Sequence, residues 1–462
     1  MSLNQRIEGV LLRLLPRPWL TRLTDASPEN RAIVRGMIWV AMFLVLAKLI
    51  AVVKEVLVAY RYGSSALVDG YLFAFNLAQW PVSVFFGVIS FVIIPYLVKL
   101  RSQDAAQAAR LQKSMLTVTG AFGLLVSLFV GVVLWQLIET GVAGLSDATK
   151  TAALAVLPWL IPTVLLGFLA ATLSIWLMSQ RRHANTFLEG MPSLGIALSL
   201  LLWPVASGQP WGVLPLAIGT LIGFFLQSLL LARLGGVFGT KLDISLIVQH
   251  WPTLRAAFGT MLLAHIIMTS TALVDQFVAV RMGEGALATL TYAQRILSLV
   301  LGLTAIVIAR SMLPVLSGMR DKHQSLQLVK RWTWGCGAFG LAIALLLSAV
   351  AQPVVTLLFE RGAFTHEDTA QVTPVLVALG LQLPFYLATI VLVQWVSAIG
   401  RHDWLLLAFT LSLLCKIATA IFLFRFGLTG LAVSTIMVYA TIVFALALLI
   451  KLSGKNTLTA IQ

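Results

Sequence analysis

Lys48 to Pro95 reads KLIAVVKEVLVAYRYGSSALVDGYLFAFNLAQWPVSVFFGVISFVIIP. Two long apolar segments flank a short Gly63-Ser64-Ser65 turn, and Lys48, Lys54, Glu55 and Asp69 lie in or beside them. An ionisable side chain at a bilayer centre costs roughly 2.5 to 3.5 kcal/mol on insertion scales, so each such group points to a partner or a function. The layout returns further along the chain. Glu55-Val-Leu-Val-Ala-Tyr-Arg61-Tyr-Gly63 is matched by Asp275-Gln-Phe-Val-Ala-Val-Arg281-Met-Gly283, with the same spacing from acid to arginine to glycine, and Ala66-Leu67 by Ala286-Leu287. The pattern predicts a duplicated transmembrane bundle with charge buried at the seam between its copies, the construction of a transporter.

Composition agrees with a membrane protein. Hydrophobic residues make up 59% of the 462 positions and charged residues 11%, with a mean hydropathy of +0.96, far from the balance of a soluble domain. Residues 1–35 hold Arg6, Arg13, Arg17, Arg22, Arg31 and Arg35, with Pro16 and Pro18 interrupting a short apolar run and no small-residue cleavage site behind it. A cleaved leader is not expected, and residues 5–15 suit either a short interfacial helix or an unstructured tail. Cys336 and Cys415 lie in apolar runs without a Cys or His at metal spacing and read as packing residues.

Apolar runs long enough to span occur near 36–54, 70–98, 115–138, 152–178, 187–206 and 212–232, then near 257–280, 287–316, 333–359, 372–398, 403–424 and 428–450. The duplication follows them. Pro95 pairs with Pro314, Trp176 with Trp395, Arg182-His183 with Arg401-His402, and Gly212, Leu216-Ala217 and Thr220 with Gly427, Leu431-Ala432 and Thr435, each about 215 to 220 residues on. Each half holds an even number of runs, so both share one orientation and a parallel repeat about the membrane normal is expected.

The formal charge of +15 is explained by its distribution. With a cytoplasmic N-terminus, the inner segments collect Lys99, Arg101, Arg110, Lys113, Arg181, Arg182, Arg233, Lys241, Arg255, Arg320, Lys322, Lys330, Arg331, Arg401, Lys451 and Lys455 beside the six arginines of the tail, against Arg61, Lys150, Arg281, Arg361 and Arg425 outside. This positive-inside bias puts both termini in the cytoplasm and leaves no need for a nucleic-acid partner. The expected organisation is a cytoplasmic segment 1–35, a first lobe 36–232 with helices 1–6, a cytoplasmic linker 233–256, a second lobe 257–451 with helices 7–12, and a cytoplasmic tail 452–462.

The charged positions inside these runs form the candidate site. At 100° per residue Lys48 and Glu55 share a face of the first helix, with Lys54 a third of a turn away. Asp69, Phe73, Asn76, Trp80 and Ser83 make one stripe of the second helix, and Thr291, Arg295, Ser298 and Gly302 a comparable stripe of the eighth, the pattern of a cavity wall. With Arg310 and Lys416 counted, the embedded groups are Lys48, Lys54, Arg295, Arg310 and Lys416 against Glu55, Asp69 and Asp275. The cavity is expected to be net cationic and to suit an anionic substrate, phosphate above all. Glu55 with Arg61 and Asp275 with Arg281 suit either gating or structural ion pairs, or contact with substrate. Lys54 is near a helix end and equally suits snorkelling to the interface, and Glu360-Arg361-Gly362-Ala363-Phe364-Thr365 reads as a solvated turn closed by a threonine cap. The dispersed His and Ser residues make no nucleophile or metal pattern, and there is no Gly-rich phosphate loop, so no enzyme chemistry, cofactor or ATP use is expected.

In the order VVKEVLVAYRYGSSALVDGYLFAF, YAQRILSLVLGLTAIVIARSMLPVLS and LLFERGAFT, the chain resembles the lipid II flippase family, MurJ or MviN, of the multidrug, oligosaccharidyl-lipid and polysaccharide exporter superfamily. The resemblance implies a bacterial inner-membrane protein of two six-helix lobes that moves a lipid-linked saccharide between leaflets by alternating access. It implies a cationic cavity in which Lys48, Lys54 and Arg295 meet the diphosphate and Asp69 orients the basic groups or gates the cavity; Asn76, on the same stripe as Asp69, is a further candidate substrate contact. Lys48 and Lys54 stand where the family usually has arginines, Gln294 replaces an acid beside Arg295, and the family commonly has two further helices. The expected partners are a lipid-linked anionic saccharide, membrane lipids and a coupling ion. Lipid II is the first candidate cargo, another lipid-linked oligosaccharide the alternative, and a drug or cation antiporter of the superfamily a more distant one.

Overall fold

Within a bilayer every backbone N–H and C=O must find its partner inside its own segment, so apolar runs of this length fold as helices. The computed structural model describes residues 28–180, 184–203, 210–236, 245–318, 322–399 and 401–456; for 28–44, 184, 210–211, 253, 256, 303–318, 322–325, 398, 402 and 453–456 it describes the backbone only. The expected interfacial segment at 5–15 and most of the two tails lie outside the described residues, as do 237–244 of the linker.

Among the described residues the twelve runs map onto fourteen α-helices: α1 Pro28–Tyr62, α2 Ala66–Gln103, α3 Ala105–Glu139, α4 Asp147–Ser179, α5 Ala184–Leu188, α6 Met191–Leu202, α7 Leu214–Gly235, α8 Ser245–Ala279, α9 Ala286–Gly318, α10 Lys322–Phe359, α11 His366–Gly380, α12 Leu383–Ala398, α13 His402–Phe422 and α14 Gly427–Asn456. Two runs expected as single helices are broken, into α5 with α6 and α11 with α12. Pro192 and Pro384 stand in the first turn of α6 and α12, where the missing N–H costs nothing but prevents the preceding helix from running through.

Local chemistry sets the other ends. Asp104 Oδ1 accepts from Ala106 N and Gln107 N, both at 2.9 Å, to start α3, and Ser146 Oγ accepts from Thr149 N to start α4. Gly236, at φ +63°, closes α7. With 38 residues, α2 is about 57 Å long at 1.5 Å per residue, well beyond a hydrocarbon core of ~30 Å, so its ends stand clear of the lipid tails.

Among the described residues ten segments are long and apolar enough to cross a membrane. The other two expected spans are α1 and α9, each with side chains described over only part of its length; α9 contributes the apolar stretch Ala286–Gly302. Phe129 and Phe444 are 69% and 68% exposed, a surface made for lipid rather than water.

The helices pack in the same order of partnerships in each half. α2, α3 and α7 lie on α4, α6 on α7, and α1 on α5 and α6. Correspondingly, α9 and α10 lie on α11 and α12, α14 packs on α11 and α12, and α13 on α14, with α8 on α13. One buried core crosses both halves: Val58, Phe73, Leu160 and Leu216 of the first join Leu287, Tyr292, Phe364 and Leu376 of the second. α8 ties the halves together most extensively, packing on α2 and α3 as well as on α13, while α9 also meets α2 and α10 meets α1.

Candidate functional site

Glu55 sits buried two turns from the end of α1 and gathers two cations. Lys54 Nζ lies 2.5 Å from its Oε1, and Arg295 Nε of α9 reaches the same oxygen at 2.8 Å. Lys54 is buried, whereas the Arg295 side chain is 47% exposed. Two turns back on the same face of α1, Lys48 joins Glu55, Arg295 and Ser298 in lining a cleft of about 60 Å³ that Leu358 and Phe359 of α10 close. Lys48 also lies within electrostatic reach of Glu189. Lys48 and Arg295 line the cleft with Glu55, and Lys54 pairs with the same Glu55 carboxylate. Ligand pockets usually hold ~300 Å³ or more; at this size the helices must part before anything as large as a saccharide diphosphate enters.

Asp69 and Asn76 are not brought to this cleft. Asp69, 1% exposed, accepts a hydrogen bond from Ala288 N at 2.7 Å and stands among the first amides of α9, with Gly285 and Leu287 beside it. A carboxylate there satisfies orphan N–H groups and opposes the positive end of the helix, so Asp69 ties α2 to the other half of the chain. Its stripe continues along the same seam: Phe73 meets Phe277 of α8 edge to face, and Trp80 Nε1 donates to Thr269 Oγ1 at 3.0 Å. Asn76, half-buried, lies between them on that face of α2.

The recurring acid and arginine sets do not pair as the spacing suggests. Glu55 turns to Lys54 and Arg295, while Arg61 donates to the carbonyl of Leu200 at 2.9 Å. Asp275 meets Lys416 of α13 at 2.6 Å, while Arg281 donates to the carbonyls of Val142 and Ala143 at 2.8 and 3.2 Å. The reason is geometric: six residues along a helix subtend 600°, or 120° short of two full turns, so the acid and the arginine face different neighbours. Lys416 is fully buried and also donates to Ser434 Oγ at 2.9 Å and Thr435 Oγ1 at 2.7 Å. It therefore leaves the count of cavity cations, and the Arg310 side chain lies outside the described residues. The duplicated threonine could have signalled the Lys416 site, since Thr220, the partner of Thr435, bonds the buried phenol of Tyr71 at 2.7 Å.

At the loops after α1, α3, α8 and α10 the two halves are locked together. Tyr292 OH donates to Gly63 O at 3.0 Å, Ala363 N to Tyr60 O at 2.7 Å, and Ser146 Oγ to Glu284 Oε1 at 2.9 Å. The rings of Tyr292, Phe359 and Phe364 pack with centroids 5.1 to 5.7 Å apart. Gly362, at φ +64°, rests so close to Tyr60 O that a Cβ would fall 2.3 Å from it. The expected threonine cap is present as a full capping box between Thr365 and Asp368, but the turn also docks against α1.

Comparison with known proteins places this architecture. The family model described as lipid II flippase MurJ matches residues 58–461. A relative of that name in Vibrio cholerae serotype O1 is 25% identical over 445 residues, covering 89% of this chain and 82% of its own. The lipid II flippase MurJ of Burkholderia cenocepacia is 24% identical over 365 residues, 76% and 70% of the two chains. Among solved structures, a lipid II flippase MurJ in an inward closed conformation superposes with a TM-score of 0.77 at 22% identity, covering 90% of this chain and 87% of that one. An inward-facing multidrug transporter of the MATE family gives 0.70 at 15% identity, covering 90% and 96%. The fold is that of these transporters, and the chain belongs to the lipid II flippase MurJ family.

Proposed function

We propose that this protein is a flippase of the bacterial cytoplasmic membrane that carries an undecaprenyl-diphosphate-linked saccharide, lipid II first, from the inner to the outer leaflet. The observation that carries the reading is the grouping of Lys48, Lys54 and Arg295 about Glu55, placed where α1 of one half meets α9 of the other. An excess of positive charge at that seam suits the oxygens of a diphosphate. It does not suit a cationic drug.

The two halves, 36–232 and 257–451, act as lobes that rock about the seam. Both termini are cytoplasmic, as the bias of Lys and Arg favours, so the interlocked loops around Gly63, Gly283 and Gly362 form the outer end. With that end closed and the cleft collapsed, the conformation is one the protein leaves to take up substrate from the inner side. No bond is broken in the cycle; a coupling ion, or the membrane potential acting on the buried charges, drives it.

The test is a leaflet-accessibility assay in cells depleted of their own lipid II flippase, comparing the wild type with Lys48→Ala, Lys54→Ala and Arg295→Ala. Restored outer-leaflet lipid II with the wild type, and loss with the variants at equal membrane levels, is the expected result. A stably inserted wild type that restores none rules out lipid II and moves the proposal to lipid intermediates of another surface polysaccharide.

A further inference from the structure

A second pocket, of about 310 Å³, lies between α2, α3 and α8, built by helices other than those of the charged cleft. Its wall is apolar, with Ile89 and Ile93 of α2, Met115 and Phe122 of α3, and Leu254 and Phe258 of α8. Along α2 the lining runs from Phe85 to Tyr96, which at 1.5 Å per residue is about 16 Å. That is roughly half of a ~30 Å hydrocarbon core, the depth of one leaflet.

One end of the pocket carries a polar pair. There the Tyr96 hydroxyl meets His250 Nδ1, and His250 Nε2 is buried without a hydrogen-bond partner. With Tyr96 donating to Nδ1, Nε2 carries the proton and has no acceptor, a state that buried polar groups rarely keep. The same end is where α2 turns into α3, and Lys99, Arg101 and Arg110 stand exposed around that turn. An apolar slot as long as one leaflet is deep, an unpartnered ring nitrogen at its end and a basic rim coincide.

We propose that the pocket holds one acyl chain of an anionic phospholipid from the leaflet facing the α2–α3 turn. A head-group or ester oxygen accepts from His250 Nε2, and Lys99 and Arg110 meet the phosphate. The transported lipid is a poorer fit, because its diphosphate would sit away from the Lys48, Lys54 and Arg295 cluster. Since α8 packs on α2 and on α13, a chain seated here braces the contact between the halves.

The experiment uses Trp251, which lines the pocket, as its reporter. The full chain is placed in nanodiscs with brominated-chain phosphatidylglycerol or phosphatidylcholine, and the Trp251 signal is taken as the difference between the wild type and Trp251→Phe. Phosphatidylglycerol should quench that signal at a lower mole fraction than phosphatidylcholine. Lys99→Gln and Arg110→Gln should each reduce the preference about fivefold, and Met115→Phe, which narrows the slot, should weaken quenching by both lipids. Equal quenching by the two lipids in the wild type would reduce the pocket to ordinary contact with bilayer hydrocarbon and overturn the proposal. Displacement of the brominated lipid by undecaprenyl diphosphate would overturn it too, assigning the pocket to the transported lipid.

Discussion

Lys416 of α13 and Asp275 of α8 form an ion pair at 2.6 Å in which the lysine side chain is 1% exposed. The two residues are far apart in sequence, and their contact fastens to the second half the helix that also packs on α2 of the first. Ser434 and Thr435 complete the ammonium's hydrogen bonds. A buried pair of this kind adds little over a well-packed apolar pair, but breaking it strands a charge.

Lys416→Met should therefore destabilise the protein by about 3 to 5 kcal/mol, read as a fall in the thermal unfolding midpoint in detergent. The double variant Lys416→Met with Asp275→Asn should regain most of that loss. A double variant no better than Lys416→Met would mean that the lysine contributes through packing rather than through its charge.

Asp69 acts on the first turn of α9, so its acceptor oxygen matters more than any contact with cargo. Asp69→Ala should cost roughly 1 to 3 kcal/mol, the penalty of leaving a buried amide unmatched, and Asp69→Asn, which keeps an acceptor, noticeably less. Thermal midpoints in the order wild type, Asn, Ala are the expected outcome. An unchanged midpoint in Asp69→Ala together with lost transport would instead make the carboxylate a substrate contact.

Gly362 allows the turn after α10 to rest on the last carbonyls of α1. An alanine there meets both the left-handed φ of +64° and the carbonyl of Tyr60, a strain of about 1 to 3 kcal/mol. Gly362→Ala should loosen the interlocked end. A cysteine placed at Ser64 should then react faster with a membrane-impermeant maleimide than it does beside Gly362; an unchanged rate would show that the turn is not part of the closure.

Glu360 gives that turn a pH dependence. The Thr369 hydroxyl at 2.7 Å, then the Thr356 hydroxyl and the His366 ring Nδ1, hold its carboxyl below the ordinary glutamate value of 4.5. The ionised form is the one these donors favour, so the contribution is complete above the ordinary value and is lost as pH falls through the lowered one. The midpoint of the wild type should exceed that of Glu360→Gln near neutral pH, and the gap should close only below the ordinary glutamate range. A gap independent of pH would exclude the charge as its source.

Two spans show how much of the fold is legible from local chemistry. The apolar run at 115–138 becomes α3 because a bilayer leaves no other partner for its backbone, and Asp104 starts it with its own carboxylate. The run at 372–398 also forms helix, but Pro384 divides it, a break that the apolar pattern alone does not mark.

Length and polarity along the chain suffice to read the helical membrane class, the repeat of its landmarks and the presence of Lys48, Lys54 and Arg295 within apolar runs, because lipid imposes a strict length and polarity on each segment. Which charge meets which follows from the packing alone. Asp69 caps a helix that begins more than two hundred residues later, Asp275 chooses Lys416 over Arg281, and Arg61 and Arg281 settle on carbonyls. A charged side chain in a membrane takes the partner that packing brings within about 3 Å, and the direction it faces is set by the crossing of helices rather than by spacing along one of them.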